Sequence, residues 1–273
     1  MLIRFYENVI ANLFATLLVF LTGMGASLLL MYFKNKHPLR QILGFEKTSG
    51  VDIVLGAPTR IIPGTTRTGE GHGVPLTPIG IIFAFHRIAR LLTQAYPKLK
   101  NIGVYSSTDF PNQQYDRNLV LIGFPRANQV TQEIMQDMQL PLVFDGHALV
   151  DSTTREVVYQ ALVEGDEVKE DYGCLIRGPN PYHRGSAIFI LAGCQTYGVK
   201  AAADFLSSQN VLALWDIHVP LFFRRLASKL VFLVPRERSK LYYEAVVKVK
   251  VRQHLTSEPE LVFYRALETP GGQ

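Results

Sequence analysis

Three segments of this sequence share one pattern, in which an apolar strand ends at a glycine and a helix follows. The segments are VDIVLGAP, NLVLIGFP and AIFILAG, and their final glycines are Gly56, Gly123 and Gly193. Uniformly apolar strands that alternate with helices are typical of parallel sheets covered on both faces. The pattern therefore predicts an α/β protein with a doubly wound, mostly parallel, three-layer domain over residues 51–268, followed by a tail at 269–273.

Further strands are expected beside the parallel ones. Residues 141–168 contain short strand patterns separated by turn signals such as Asp145-Gly146. Near the end of the chain, LYYEAVVKVKV and ELVFYRAL alternate polar and apolar residues with a period of two. These segments predict antiparallel additions to the domain.

The three glycines predict where a ligand would bind. Doubly wound sheets bind ligands beyond the carboxyl ends of their strands, where the strand order reverses. Gly56, Gly123 and Gly193 would all lie on that edge, and together they indicate a crevice. For each glycine alone, the alternative is that it only permits a tight turn between strand and helix.

Residues 186–206 give the most detailed prediction of a site. A strand ends at Gly193 and a helix begins directly after it, so backbone N–H groups and the positive end of a helix dipole converge there. This arrangement suits an anion or a polar small molecule. The expected contacts come from one run of residues: Gly193, Gln195, Thr196, Tyr197, Gly198 and Lys200.

The same run departs from a phosphate-binding P-loop at two positions. Val199 separates the glycine from the lysine, and Ala201 lies where that motif has a metal-binding Ser or Thr. ATP hydrolysis by this loop is therefore not expected.

The second strand–glycine unit adds candidate ligand contacts. These are Gly123, Pro125, Asn128 and Thr131, which follow one another in GFPRANQVT. The alternative for Asn128 is that its side chain caps the helix that begins near Gln129.

Residues that could perform catalysis are sparse. Cys194 lies at a helix start, where a thiol pKa can fall, but no base is indicated by spacing, and burial in the turn is the alternative. Asp216 and His218 share a face of a predicted strand, either as an acid–base pair or as a simple hydrogen-bonded pair. Glu133 is either a glycosidase-type carboxylate or part of a solvated helix face. The catalytic residues and any cofactor stay unknown, and no metal-ligand spacing is found.

The N-terminal region predicts a membrane anchor. No residue between Glu7 and Lys34 is charged, and the apolar segment 9–33 is long enough to cross a hydrocarbon core of about 30 Å. Residues 1–8 would then lie outside the cell and residues 34–50 would form a basic juxtamembrane linker. The positive-inside rule places the body in the cytoplasm of a single-pass cell-membrane protein. A cleaved signal peptide and the opposite orientation are the alternatives.

The charge distribution argues against a nucleic-acid partner. The net charge is +5, and three of these charges come from the first 45 residues, which hold four Lys or Arg against one Glu. The remaining body is close to neutral and has no basic stripe interleaved with aromatic residues. The lipid bilayer is instead the expected partner, and a homo-oligomer is possible.

A short set of motifs resembles a known family. NLVLIGFPRANQVTQEIM is followed by Asp171-Tyr172-Gly173, by Asn180-Pro181 and by Ala192-Gly193 before an alanine-rich helix. Over residues 115–210 this layout resembles the Rossmann-like module of archaeal S-layer outer domains and of related uncharacterised bacterial proteins, whose first motif is GGPxxNxVT. Phe124 replaces the second glycine of that motif, at a point where a ligand could approach the backbone. The resemblance implies a fold more than a chemistry. A more distant likeness to deoxyribosyltransferase and TIR folds implies recognition of nucleotides.

These observations together predict a binding protein more than an enzyme. The expected ligand is a nucleotide-like small molecule or a protein partner at the membrane, in a sensor or effector role. The alternatives are a nucleoside or NAD N-glycosidase-like hydrolase and a structural or assembly protein without a ligand.

Overall fold

The computed structural model describes residue 23 and residues 42–45, 50–56, 59–62, 72–75, 78–99, 101–208 and 242–267. The chain divides into two compact units, Met1–Pro38 and Leu39–Gln273, and every element described below belongs to the second unit.

The described elements are fourteen strands, three helices and one 3-10 turn. The helices are α1 (Ile79–Ala95), α2 (Gln129–Asp137) and α3 (Thr196–Ser207), and the 3-10 turn covers Asn112–Gln114. The strands are β1 (Val51–Leu55), β2 (Thr59–Ile62), β3 (His72–Pro75), β4 (Ile102–Ser106), β5 (Asn118–Ile122), β6 (Leu142–Asp145), β7 (Ala148–Asp151), β8 (Val157–Gln160), β9 (Leu162–Glu164), β10 (Glu167–Asn180), β11 (His183–Gly193), β12 (Tyr242–Arg252), β13 (Leu255–Thr256) and β14 (Glu260–Leu267).

The main sheet is mixed, which corrects the prediction of a mostly parallel sheet. Strands β11, β5, β1 and β4 lie side by side and are parallel, with Val51 opposite both Asn118 and Ile102. From β11 onward the neighbours β10, β12 and β14 pair antiparallel, and the short strand β9 pairs antiparallel with β10. The reason is the connection between β10 and β11. It has only two residues, whereas a parallel pair needs a crossover of roughly a dozen residues or more.

Helices cover one face of the sheet, and a helix with a small sheet covers the other. Helices α1 and α3 bury residues such as Ile88 and Ala202 in the core on the first face. Helix α2 and the three-stranded sheet β6–β7–β8 bury residues such as Ile134 and Leu149 in the core on the second face. The result is a mixed α/β protein with its layers on both sides of one sheet.

The strand order reverses between β1 and β5. From β1 the chain passes through α1 to β4 on one side, and then crosses to β5 on the other side of β1. Helix α1, which follows β1, packs on the first face, and α2, which follows β5, packs on the second. The segments that leave the two strands therefore diverge, which is the geometry at which doubly wound sheets bind ligands.

The predicted single-pass membrane protein is corrected by the structure. Among the residues described, no helix is long and apolar enough to cross a membrane. The longest, α1, has 17 residues and includes Arg87 and Arg90, whereas a span needs about 20 predominantly apolar residues. The correction extends to the predicted location at the cell membrane with a cytoplasmic body. The segment predicted to span, 9–33, lies outside the described residues apart from Gly23, as do residues 1–8.

Part of the segment predicted as a linker packs into the core. Ile42, Leu43 and Phe45 are buried on the first face of the sheet. The Phe45 N–H donates to the Tyr96 hydroxyl at 3.0 Å, at the end of helix α1. These residues therefore belong to the folded domain.

Candidate functional site

The glycines of the three strand–glycine units lie on one edge of the sheet. Gly56 and Gly123 follow β1 and β5 directly, and Gly193 is the last residue of β11. The N–H of Gly56 donates to the carbonyl of Ile122 at 2.8 Å, and the N–H of Gly123 donates to the carbonyl of Leu191 at 2.9 Å. These bonds tie the carboxyl ends of the three parallel strands together.

We call the part of this edge between β1 and β5 the switch-point edge, and define it as Gly56, residues 123–127 and the first turn of α2. Gly123 has a φ of +121°, a backbone conformation that side chains rarely allow, so the turn after β5 needs glycine. Phe124 and Pro125 are half-buried and Arg126 is exposed. The switch-point edge therefore reaches the protein surface through these three residues.

Asn128 holds the switch-point edge together from the inside. Its side chain is fully buried, and its Nδ2 donates to the carbonyls of Val54 at 3.0 Å and Ile122 at 3.2 Å. Its Oδ1 accepts the N–H of Thr131 at 3.1 Å, which is the helix cap that the sequence offered as the alternative. Asn128 thus joins β1, β5 and α2 and uses both ends of its amide for that purpose.

Thr131 is the third residue of α2, and its hydrogen bonding differs from that of Asn128. Its side chain is also fully buried, yet among the described residues none forms a hydrogen bond with its hydroxyl Oγ1. A buried hydroxyl without a partner costs free energy, and most buried polar groups in proteins have one. The residue needs an explanation beyond packing.

The predicted anion site at the start of α3 is filled by the chain itself. The carboxylate of Asp171, on β10, accepts the backbone N–H groups of Tyr172 at 2.8 Å, Gln195 at 3.0 Å and Gly198. The N–H of Tyr197 also bonds to this carboxylate. Burial raises the pKa of Asp171 to about 7, although the hydrogen bonds from these four N–H groups act in the opposite direction. The donors that were expected to bind a ligand therefore bind an internal carboxyl group.

The close packing of α3 on β10 explains one of its glycines. A Cβ atom at Gly198 would overlap the carbonyl oxygen of Tyr172, so only glycine allows the helix to approach the strand this closely. The N–H of Cys194 donates to the same carbonyl at 2.9 Å. Gly193 and Gly198 are thus placed at a helix–strand contact.

The side chains predicted around Gly193 point to structural partners. Thr196 Oγ1 accepts the N–H of Gly80 in α1 at 3.1 Å, and the Tyr197 hydroxyl bonds to His254 Nδ1 at 2.9 Å. Lys200 Nζ lies 2.6 Å from Asp204 Oδ2 and 2.8 Å from Thr256 Oγ1.

Gln195 lies at the cap position of α3, but its side chain makes no capping hydrogen bond. The structure does not bring these side chains together around one point.

Cys194 is buried and is not poised as a nucleophile. Burial, followed by the Asp171 charge, raises the pKa of its thiol to about 12, so the reactive thiolate is scarce at neutral pH. Nδ1 of His147 lies 3.1 Å from the Cys194 carbonyl oxygen, so this histidine contacts the backbone at that position. Burial in the turn, the alternative given by the sequence, describes this residue.

Of the other candidate catalytic groups, one accepts hydrogen bonds from the protein and two lie outside the described residues. Glu133 accepts the Tyr115 hydroxyl at 2.6 Å and the Gln129 side-chain amide at 3.0 Å. The pair Asp216 and His218 lies outside the described residues. In the described part of the chain, no three His, Cys, Asp or Glu side chains come together in a way that could hold a metal ion.

Sequence reasoning missed three buried carboxyl groups, of which Asp52, in β1, pairs with Arg117 at 3.0 Å. Asp171 was noted only as part of a motif, because nothing in the sequence places it against a helix that begins 25 residues later. Glu244 is the third residue of β12, is fully buried and accepts the N–H of Leu142 at 3.2 Å, which joins the small sheet to the main one. An acidic residue inside an otherwise alternating strand was the available signal for Glu244.

Comparisons with known proteins assign no family. A scan against models of protein families finds no match, and a search of curated proteins also finds none. The resemblance to S-layer outer domains therefore stays a prediction.

Proposed function

We propose that this protein binds a nucleotide-like small molecule at the switch-point edge and does not turn it over. The observation that carries the proposal is the reversal of strand order between β1 and β5, since the segments leaving the two strands diverge to opposite faces of the sheet. Gly123, in a conformation that favours glycine, lets the backbone turn there without a side chain in the way.

Two further observations favour this position over the start of α3. The N–H groups at the start of α3 already donate to Asp171, so an incoming anion would have to displace a buried carboxyl group. At the switch-point edge, Phe124, Pro125 and Arg126 reach the surface and offer an aromatic ring, an apolar ring and a cation. Aromatic faces and cations are common partners of bases and phosphates.

The hydrogen bonds made by the carboxyl groups and the protonation of the thiol favour ligand binding over hydrolysis. An N-glycosidase needs a carboxylate that can reach the sugar, but the oxygens of Asp171 and Glu133 accept hydrogen bonds from the protein itself. The Cys194 thiol is buried and keeps its proton at neutral pH. These groups therefore provide little acid–base catalysis for the hydrolysis of a ligand at the switch-point edge.

The test is a binding panel followed by a turnover assay on the full chain. Adenosine, guanosine, their mono-, di- and triphosphates, cyclic nucleotides and NAD are titrated by calorimetry and by thermal shift. A ligand at a hundred times its dissociation constant is expected to add about 2.7 kcal/mol to the free energy of unfolding. The proposal expects at least one ligand to bind and to be recovered intact. A silent panel contradicts binding, and release of free base or nicotinamide contradicts the absence of turnover.

A further inference from the structure

The three described helices differ in what their first N–H groups bind. In α3 the Asp171 carboxylate accepts N–H groups from the first turn, and in α1 the N–H of Gly80 donates to Thr196 Oγ1. Both helix starts are therefore bonded to other parts of the chain.

The start of α2 is different. Its cap, Asn128, is a neutral amide and accepts one N–H, that of Thr131. Within the described part of the chain, no group accepts a hydrogen bond from the N–H of Gln129 or Val130. The first turn of this nine-residue helix contains no acidic residue, so the helix itself supplies no negative charge to balance its positive end.

A second observation at the same place concerns Thr131. Its hydroxyl is fully buried and has no hydrogen-bond partner within the ranges that the structure describes. Side chains on a helix tilt towards its N-terminus, so the Thr131 side chain is directed over the first turn, where the free N–H groups of Gln129 and Val130 lie. A buried hydroxyl and two N–H groups, none of them with a partner in the part of the chain that the structure describes, therefore lie on one helical turn.

A positively charged side chain, that of Arg126, lies close in the sequence to these hydrogen-bond donors. Arg126 lies two residues before the cap, its side chain is exposed, and no ion pair engages it among the described residues. A guanidinium, two backbone donors and a hydroxyl match a group with several acceptor oxygens and negative charge.

We infer that the first turn of α2 binds a phosphoryl group, with N–H donors from Gln129 and Val130, the Thr131 hydroxyl as a further donor and Arg126 as the charge partner. The inference rests on the proposed function for the rest of the ligand, because it makes this phosphoryl group the anionic part of the nucleotide-like molecule. The start of α3, where the sequence predicted an anion, is instead occupied by the Asp171 carboxylate.

The test compares three probes by calorimetry on the full chain: pyrophosphate, adenosine monophosphate and adenosine. The inference expects adenosine monophosphate to bind about tenfold or more tightly than adenosine, since a hydrogen bond to a charged group is worth about 1.5–3 kcal/mol. It also expects binding of pyrophosphate to weaken as salt is added.

Two variants place the phosphoryl group. Thr131→Val removes the hydroxyl and keeps a β-branched side chain, and it is expected to weaken binding of pyrophosphate and adenosine monophosphate about tenfold. Because no described residue forms a hydrogen bond with this hydroxyl, the melting temperature of the variant is expected to stay the same or rise. Arg126→Ala is expected to weaken both phosphorylated probes, while Arg184→Ala, an equally exposed arginine at the opposite end of the sheet, leaves them unchanged.

The outcomes separate the two proposals. Equal affinity for adenosine and adenosine monophosphate, or a Thr131→Val variant that keeps its affinity for phosphorylated probes, overturns the phosphoryl site and leaves the proposed function standing. Binding of pyrophosphate that depends on Thr131, with no binding of any nucleoside or nucleotide, supports the phosphoryl site and overturns the nucleotide ligand. No binding of any probe overturns both.

Discussion

The Asp171 carboxylate accepts the backbone N–H of Gly198, 27 residues later in the sequence, and so joins strand β10 to the first turn of helix α3. The same carboxylate holds the N–H groups of Tyr172 and Gln195. One side chain thereby satisfies donors from both a strand and a helix start, in the interior of the protein.

Removing this carboxylate is expected to destabilise the fold. In Asp171→Ala the N–H groups lose their acceptor while they stay buried, and each such loss costs about 1–3 kcal/mol. We expect the free energy of unfolding, measured in urea at pH 7, to fall by about 3 kcal/mol. Asp166→Ala, in an exposed turn before β10, is the control and is expected to change it by less than about 0.5 kcal/mol. An Asp171→Ala variant as stable as this control would show that water replaces the carboxylate at no cost.

The contact between α3 and β10 is expected to be sensitive to a single methyl group. In Gly198→Ala the new Cβ overlaps the Tyr172 carbonyl, and backbone must move to relieve it, so we expect a loss of about 2–4 kcal/mol in urea unfolding. In the control Gly50→Ala the new Cβ lies at an ordinary 3.4 Å from its nearest neighbour, the Asn101 carbonyl oxygen. Similar losses in the two variants would mean that the helix can shift freely on the strand.

Stability is expected to fall as the pH rises, because of Glu244. Burial raises the pKa of this carboxyl from 4.5 to about 8, so between these values the folded protein keeps a proton that the unfolded chain releases. The free energy of unfolding therefore decreases from about pH 4.5 to about pH 8, where the loss is complete.

The variant that isolates this effect is Glu244→Gln, which keeps an acceptor for the Leu142 N–H and carries no charge. We expect it to gain on the order of 3 kcal/mol relative to the natural protein between pH 5 and pH 9 in urea unfolding. Some pH dependence remains in the variant, because burial also raises the pKa of Asp171. Parallel stability curves for the two proteins would show that Glu244 is ionised in both the folded and unfolded chain.

The two cysteines are expected to be unreactive in the folded protein. Cys174 and Cys194 are both fully buried, and burial raises the pKa of each thiol. With a chromogenic disulfide reagent at pH 8 we expect no thiol to react in the native protein and two to react in denaturant. Rapid reaction of one thiol without denaturant would restore Cys194 as a candidate nucleophile.

Much of the parallel part of the sheet could be predicted from the sequence. The three strand–glycine units are β1, β5 and the second half of β11, and they end on one edge because the three strands are parallel. The alternating segments near the end of the chain are β12 and β14, which pair antiparallel as their period of two predicted.

The long strand β10 could not be predicted. Gly173, Gly178 and Pro179 interrupt its apolar pattern, so we predicted no strand there and expected a mostly parallel sheet. In the structure those glycines allow close packing: a Cβ at Gly173 would overlap the Gly198 carbonyl, and one at Gly178 would overlap the end of Met138. Glycine is favoured at these two positions because of residues distant in the sequence, and a local sequence pattern cannot show such contacts.

The candidate site was predicted in position but not in detail. Local sequence could place Gly123 and the cap Asn128 at the start of α2. It could not show that Asp171 fills the start of α3 or that Thr131 keeps a free hydroxyl, since both depend on which strands lie beside each helix.

The most direct test of ligand binding at the switch-point edge is amide hydrogen exchange of the full chain, measured by mass spectrometry with and without millimolar adenosine monophosphate. Binding there predicts slower exchange in peptides covering residues 53–56 and 122–131. Peptides covering the start of α3, residues 195–200, are expected to be unchanged, because their N–H groups already donate to Asp171. Slower exchange confined to residues 195–200, or no slowing in either region, would contradict ligand binding between β1 and β5.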